Sequence, residues 1–191
     1  MAVKLLISDF DGTLVDTFEA NYLAYRQAFS ECGINLTKEC YRKCFGFRFD
    51  RFMNAVGIVD IGLRETICRK KCDCYPEYFE HLRVNEPLLD FLRAFRRSGG
   101  LTAIASTARE QNLRNALRHI GAENHFNLIL AGENVSKGKP DPEIYLTVLE
   151  SLGVSPREAV VFEDSDVGFR AAEAAGIEYI KVNSLYFDNG N

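Results

Sequence analysis

Short apolar runs alternate with longer amphipathic segments over most of the sequence, and this alternation constrains the fold more than any other feature. The runs are VKLLIS (3–8), LTAIAS (101–106), LILA (128–131), AVVFE (159–163) and EYIKV (178–182). Those up to residue 163 are mostly apolar throughout, as strands covered on both faces are. Helical patterns separate the later runs. Pro87 opens one, with Leu88, Leu89, Phe91, Leu92 and Phe95 on a stripe that ends at Gly99-Gly100. Residues 109–120, 142–152 and 166–175 carry the others, each closed by a glycine. Strand and helix in regular alternation predict an α/β fold built on a doubly wound parallel sheet.

Residues 16–85 break the alternation. They show no convincing strand and read as helices over 17–32, 38–45, 49–56 and 62–83. The expected organisation is a sheet domain of 1–15 and 86–191, interrupted by a helical insert of 16–85. The insert is close to neutral, so the acidic excess lies on the sheet domain. All six cysteines, Cys32, Cys40, Cys44, Cys68, Cys72 and Cys74, fall inside the insert. The spacing contains no CxxC, and small buried hydrophobes are the plainer reading beside a zinc or redox site.

A net charge of −4 and a pI near 5.5 argue against nucleic acid or an anionic membrane as the main partner. No apolar stretch is long enough to span a bilayer. Residues 1–9 lack a secretory pattern. The expectation is a cytoplasmic protein, a monomer or weak dimer.

The first apolar run ends in SDFDGT, with Asp9 and Asp11 two residues apart. Side chains alternate along a strand, so both carboxylates point one way and Phe10 the other. Ligands of open parallel sheets bind beyond the carboxyl ends of the strands. Two close carboxylates need positive compensation, and a hard divalent cation such as Mg²⁺ supplies it. A surface acidic turn is the competing reading for this segment alone.

Three further strand ends add context. LTAIAS is followed by Thr107 and Arg109; a hydroxyl at Ser106 or Thr107 beside a helix start suits a phosphate oxygen or a plain helix cap. Lys139 in SKGKPDP stands before a helix and can neutralise a carboxylate and a phosphate together, with Lys137 a weaker candidate. AVVFEDSDVG places Glu163 and Asp164 at a strand end; Asp166 suits a helix N-terminus, and Gly168 a close packing contact.

These four segments, in this order, resemble the motifs of the haloacid dehalogenase superfamily of phosphotransferases. DFDGTLVDT is similar to the first motif, Ser106 to the second, Lys139 in GKPDP to the third and EDS at 163–165 to the fourth. The insert resembles the helical cap of the subgroup holding phosphoglycolate phosphatases, sugar-phosphate phosphatases and β-phosphoglucomutases. The resemblance implies a Rossmann-like core and an enzyme acting on a small phosphorylated metabolite. It implies that Asp9 is the nucleophile, forming an aspartyl phosphate, and that Asp11 is the general acid and then the base. Mg²⁺ would be held by Asp9, the backbone carbonyl of Asp11 and Asp164, with Glu163 a direct or water-mediated ligand. Ser106 and Lys139 would hold the transferring phosphoryl group; Thr107 and Arg109, from the strand end itself, are candidates to bind the substrate.

In the insert, CFGFRFDRFM (44–53) and Lys71 carry the expectations about substrate choice. Phe47, Arg48 and Phe49 are candidates to touch the substrate, although amphipathic packing explains the phenylalanines equally well. Lys71 resembles a cap lysine of mutases and several phosphatases; a solvated helix face is the alternative. Asn21 stands where β-phosphoglucomutases usually carry a histidine, which weakens a mutase assignment. His81, His119 and His125 read as structural. A Mg²⁺-dependent phosphatase is the leading functional expectation, a phosphosugar mutase the nearest alternative, and a non-catalytic receiver-like module the third.

Overall fold

The computed structural model describes residues 2–183 and residue 187. Along the chain the strands are β1 (Leu5–Ser8), β2 (Val15–Asp16), β3 (Arg83–Val84), β4 (Leu101–Ala105), β5 (Leu128–Leu130), β6 (Ala159–Glu163) and β7 (Glu178–Lys181). The α-helices are α1 (Phe18–Ser30), α2 (Lys38–Arg42), α3 (Phe49–Ala55), α4 (Ile61–Cys74), α5 (Glu86–Arg97), α6 (Glu110–His119), α7 (Glu143–Leu152) and α8 (Asp166–Ala174). The chain forms two units by contact, one running up to Asp16 and again from Arg83 onward, the other Thr17–Leu82. No helix among the described residues is long and apolar enough to cross a membrane.

The first unit is built on a five-stranded sheet in the order β5-β4-β1-β6-β7, every pairing parallel. This is the doubly wound α/β sheet that the alternation predicts. β1 is central: Leu5 lies opposite Leu101 on one side and Ala159 on the other. The strand order reverses at β1, and such a switch opens a crevice beyond the carboxyl ends of the strands. All four residues of β1 are buried, whereas β7 is an exposed edge. Leu5, Ile7, Ala103, Ala105, Ala159 and Val161 share one face and pack with Ile144, Tyr145 and Val148 of α7 and Ala171 and Ala172 of α8. Small residues at 103, 105, 171 and 172 let the helices approach the sheet closely. On the far side α5 contacts β4, and its Phe91 ring meets Phe162 edge-on, 6.0 Å between centroids.

Three features of residues 15–85 differ from expectation, one being that the helix expected over 38–45 ends at Arg42. β2 and β3 pair antiparallel, Val15 opposite Val84 and Asp16 opposite Arg83. Strands of two residues carry no periodicity to read. The helix expected over 62–83 ends at Cys74 and continues as a 3₁₀ turn, Tyr75–His81. Pro76 has no N–H to continue the α-helical ladder.

The helical unit has its own core. Tyr22, Phe29, Tyr41, Phe52, Met53 and Ile67 are buried together, with Tyr25 and Phe52 in edge contact at 4.9 Å. Its cysteines are free thiols. Cys44 and Cys74 are buried, and burial pushes both thiols up, Cys74 to about 11.

Candidate active site

β1 delivers the first acid. Asp9 N–H donates to the Phe162 carbonyl at 3.0 Å, which extends the sheet pairing by one residue. Phe10 turns into the interior. The chain then bends: Gly12 N–H donates to the Val15 carbonyl at 2.8 Å, and Val15 N–H to that of Phe10 at 3.0 Å. Asp11 is left at the mouth of the bend, where the Ser106 hydroxyl donates to its Oδ2 at 3.3 Å. Ser106 stands just past β4, and its Oγ also accepts from the Ala108 N–H at 3.0 Å.

Lys139 enters from the loop before α7 and is buried. Its ammonium donates to Asp9 Oδ1 at 2.7 Å, to Glu163 Oε1 at 2.6 Å and to the Ala105 carbonyl at 3.0 Å. Glu163, the last residue of β6, is 1% exposed, and both of its oxygens are engaged. Oε1 accepts from Lys139 and from the Tyr145 hydroxyl at 3.4 Å. Oε2 accepts from the backbone N–H groups of Asp164 and Ser165 and from the Ser165 hydroxyl. Ser165 Oγ in turn caps α8 by accepting from the Gly168 N–H at 3.1 Å. Gly168 does pack closely: a Cβ there would fall 1.8 Å from Glu163 Oε1. Asp164 is fixed by the Thr13 hydroxyl, which donates to its Oδ1 at 2.9 Å.

The cluster is buried and holds more acids than bases, and its titration follows from burial first and the imbalance second. Burial, helped by repulsion from Glu163, Asp164 and Asp11, raises Asp9 well above the ordinary carboxylate range despite Lys139. Burial and the nearby Glu163 charge push Asp164 up to about 6. Burial also works against the charge on Glu163, but Lys139 and the Ser165 donors hold it below its ordinary value. For Lys139, burial would lower the ammonium, yet Asp9, Tyr145 and Glu163 outweigh it and raise it. Asp9 and Asp164 are therefore the carboxylates whose charge the protein alone does not compensate. Those two with Glu163 offer oxygens all within 4.8 Å of one another. Hard oxygen donors with unbalanced charge suit a hard divalent cation, so the residues present fit one.

The structure thus brings together Asp9, Asp11, Ser106, Lys139, Glu163 and Asp164. Thr107 follows Ser106, and its carbonyl lies so close to Gly132 that a Cβ there would approach it to 2.6 Å. The Arg109 guanidinium pairs with Glu133 at 3.0 Å. Lys137 is exposed and faces Asp141 at 3.7 Å. Phe47, Arg48 and Lys71 belong to the helical unit. Phe47 packs against its core under the Arg51 guanidinium, 3.8 Å from the ring centroid. Arg48 precedes α3. Lys71 does not lie on a solvated face: it is 3% exposed, with its ammonium 3.6 Å from the Tyr75 ring centroid and 5.2 Å from that of Tyr25. Three participants carried no functional expectation. Thr13 and Ser165 were visible inside the first and fourth motif segments; Tyr145 read only as a core position of α7.

Known proteins resemble this chain over nearly its whole length. The family model described as haloacid dehalogenase-like hydrolase matches residues 6–182. The chain is 33% identical over 184 residues to a phosphorylated carbohydrates phosphatase of Thermotoga maritima, covering 93% of this chain and 84% of that protein. It is 26% identical to a β-phosphoglucomutase of Bacillus subtilis, covering 92% and 81%. A crystal structure of CbbY from Rhodobacter sphaeroides in complex with phosphate superposes with a TM-score of 0.87 at 27% identity, covering 99% of this chain and 90% of the other. With the acid-rich strand ends in place and nearly the whole chain matched, this protein belongs to the haloacid dehalogenase-like hydrolase family.

Proposed function

We propose that the protein is a Mg²⁺-dependent phosphatase of a small phosphorylated metabolite, a sugar phosphate or a compound of the phosphoglycolate type, working through an aspartyl phosphate on Asp9. The observation that carries this reading is the pairing at the end of β1: Asp9 held by buried Lys139, and Asp11 held by Ser106. An Asp9 oxygen attacks phosphorus, the P–O(ester) bond breaks, and Asp11 gives its proton to the departing alkoxide. Water then attacks the same phosphorus, Asp11 takes the water's proton, and inorganic phosphate leaves with Asp9 regenerated. Lys139 and Ser106 orient the phosphoryl group and offset its charge. Asp9, Asp164 and the backbone carbonyl of Asp11 would hold Mg²⁺, with Glu163 behind them. A bound Mg²⁺ supplies charge neutralisation at the phosphoryl oxygens.

The 33% identity to a phosphatase of phosphorylated carbohydrates supports the sugar-phosphate class. Thr107 and Arg109 are proposed beside the substrate; Arg109 would exchange Glu133 for an anionic group of the ligand. Phe47, Arg48 and Lys71 are proposed as the specificity residues of the helical unit. Six free thiols suit a reducing compartment, so a cytoplasmic location belongs to the same reading. A monomer or weak dimer is proposed, to be read by light scattering.

The test is Mg²⁺-dependent phosphate release from a panel of hexose 1- and 6-phosphates and phosphoglycolate. Release should vanish with chelator and in Asp9→Asn, and should fall about 10²–10⁴-fold in Asp11→Asn. Release that survives Asp9→Asn sinks the proposed nucleophile. The relation to a β-phosphoglucomutase favours one second reading, phosphosugar mutase. Hexose phosphate isomerised in the presence of a bisphosphate, without net phosphate release, would establish that reading instead.

A further inference from the structure

Tyr145 is wholly buried in the first turn of α7, six residues past Lys139. It packs in the core with Leu5 and Ile7 of β1, yet it also faces the ion cluster. The Lys139 ammonium lies 5.0 Å from its ring centroid, and its hydroxyl donates to Glu163 Oε1, the same oxygen that Lys139 engages. An ammonium has three N–H donors. Those of Lys139 go to Asp9, Glu163 and the Ala105 carbonyl. A further restraint on this long side chain can be an attraction that consumes no donor, and the negative face of an aromatic ring provides one.

We propose that Tyr145 is a positioning residue: its ring face holds the Lys139 ammonium beside Glu163 so that it stays aimed at Asp9. This deepens the reading of Asp9 as nucleophile and rests on it. An aliphatic side chain could fill the space but would let the ammonium shift between its acidic partners. A phosphoryl group entering the site competes for the same donors, and the ring limits how far Lys139 can follow it. The expected effect therefore falls on the chemical step more than on substrate binding, which also draws on Ser106 and the metal.

The test compares Tyr145→Phe with pentafluorophenylalanine at position 145. Both lack the hydroxyl and have closely similar shape, but fluorination reverses the charge on the ring face. Three quantities are read: kcat and KM for the phosphomonoester, and the ¹H–¹⁵N correlation of the Lys139 ammonium, assigned by its loss in Lys139→Arg. Tyr145→Phe should keep the ammonium signal and most of kcat. The pentafluoro protein should lose or broaden that signal, and its kcat should fall about 3- to 30-fold with KM within twofold. Equal ammonium signals and equal kcat in the two proteins would overturn the proposal. So would a fall in kcat with the ammonium signal unchanged. A wild type that releases no phosphate would end the functional reading, and the ammonium signal alone would then decide the positioning role.

Discussion

Gly12 has a φ of +90°, and a Cβ built on it would lie 2.3 Å from Asp164 Oδ2. Two constraints therefore meet at one residue: a backbone conformation that L side chains resist, and a carboxylate that fills the space a side chain would need. Gly12→Ala should destabilise the protein by roughly 1–2 kcal/mol and weaken Mg²⁺ binding by displacing Asp164. Urea denaturation and a Mg²⁺ titration check the two effects separately; an unchanged metal affinity would show that Asp164 does not depend on this close approach. DGT was readable as a turn. That the turn must admit Asp164, whose partner Thr13 lies 151 positions away, was not. The same holds for Lys139, whose reach to a carboxylate was an inference from its place at a strand end. The identity of all three of its oxygen partners, and of the tyrosine behind it, is set by tertiary contacts alone.

At the scale of elements, α5 begins with a buried cap. Asn85 Oδ1 accepts from the Leu88 N–H at 3.2 Å, Asn85 Nδ2 donates to the Thr13 carbonyl at 3.2 Å, and its backbone N–H donates to the Leu14 carbonyl at 2.9 Å. The cap thus fastens the start of α5 to the bend that carries Asp11. Asn85→Ala removes both side-chain bonds and leaves the Thr13 carbonyl without this donor, a loss of about 1–3 kcal/mol in chemical denaturation. A loss under half a kcal/mol would mean that the cap is redundant. Pro87 and the leucine stripe made this helix legible, because caps and stripes are local patterns. β2 and β3 were not legible: two-residue strands exist through pairing, and Val15 and Val84 find each other only once the intervening residues have folded back. α4 is the opposite case: its helical pattern runs on in the sequence while Pro76 stops the ladder.

Over the whole molecule, the acidic surplus at the sheet's carboxyl edge would couple the proposed Mg²⁺ binding to pH. The fold raises Asp164 from an ordinary carboxylate value to about 6, so it favours the protonated form. In metal-free protein the stability associated with this group is complete below the unfolded-state pKa and is lost as pH rises through about 6. Mg²⁺ needs the deprotonated form. Its stabilising effect should therefore grow between pH 5 and 7, reaching about 2.7 kcal/mol at 100 times the Kd. Thermal melts with and without Mg²⁺ across this range test the linkage, and Asp164→Asn should flatten it. A Mg²⁺ effect independent of pH in the unmodified protein would remove Asp164 from the metal site.

Fold class, the helical character of the insert and the acid-bearing strand ends were all present in the linear chain, because strand runs, helix stripes and turn residues are written by neighbours within a few positions. Sheet order was not. The sequence of β1, β4, β5, β6 and β7 along the chain does not dictate β5-β4-β1-β6-β7 in space. That order puts Asp9 beside both Lys139 and Glu163, and Asp11 beside Ser106. Contacts of such long separation depend on how buried strands register against one another. The partners of a buried charge are chosen there, where an unpaired carboxylate costs most, and local residue patterns carry no record of that choice.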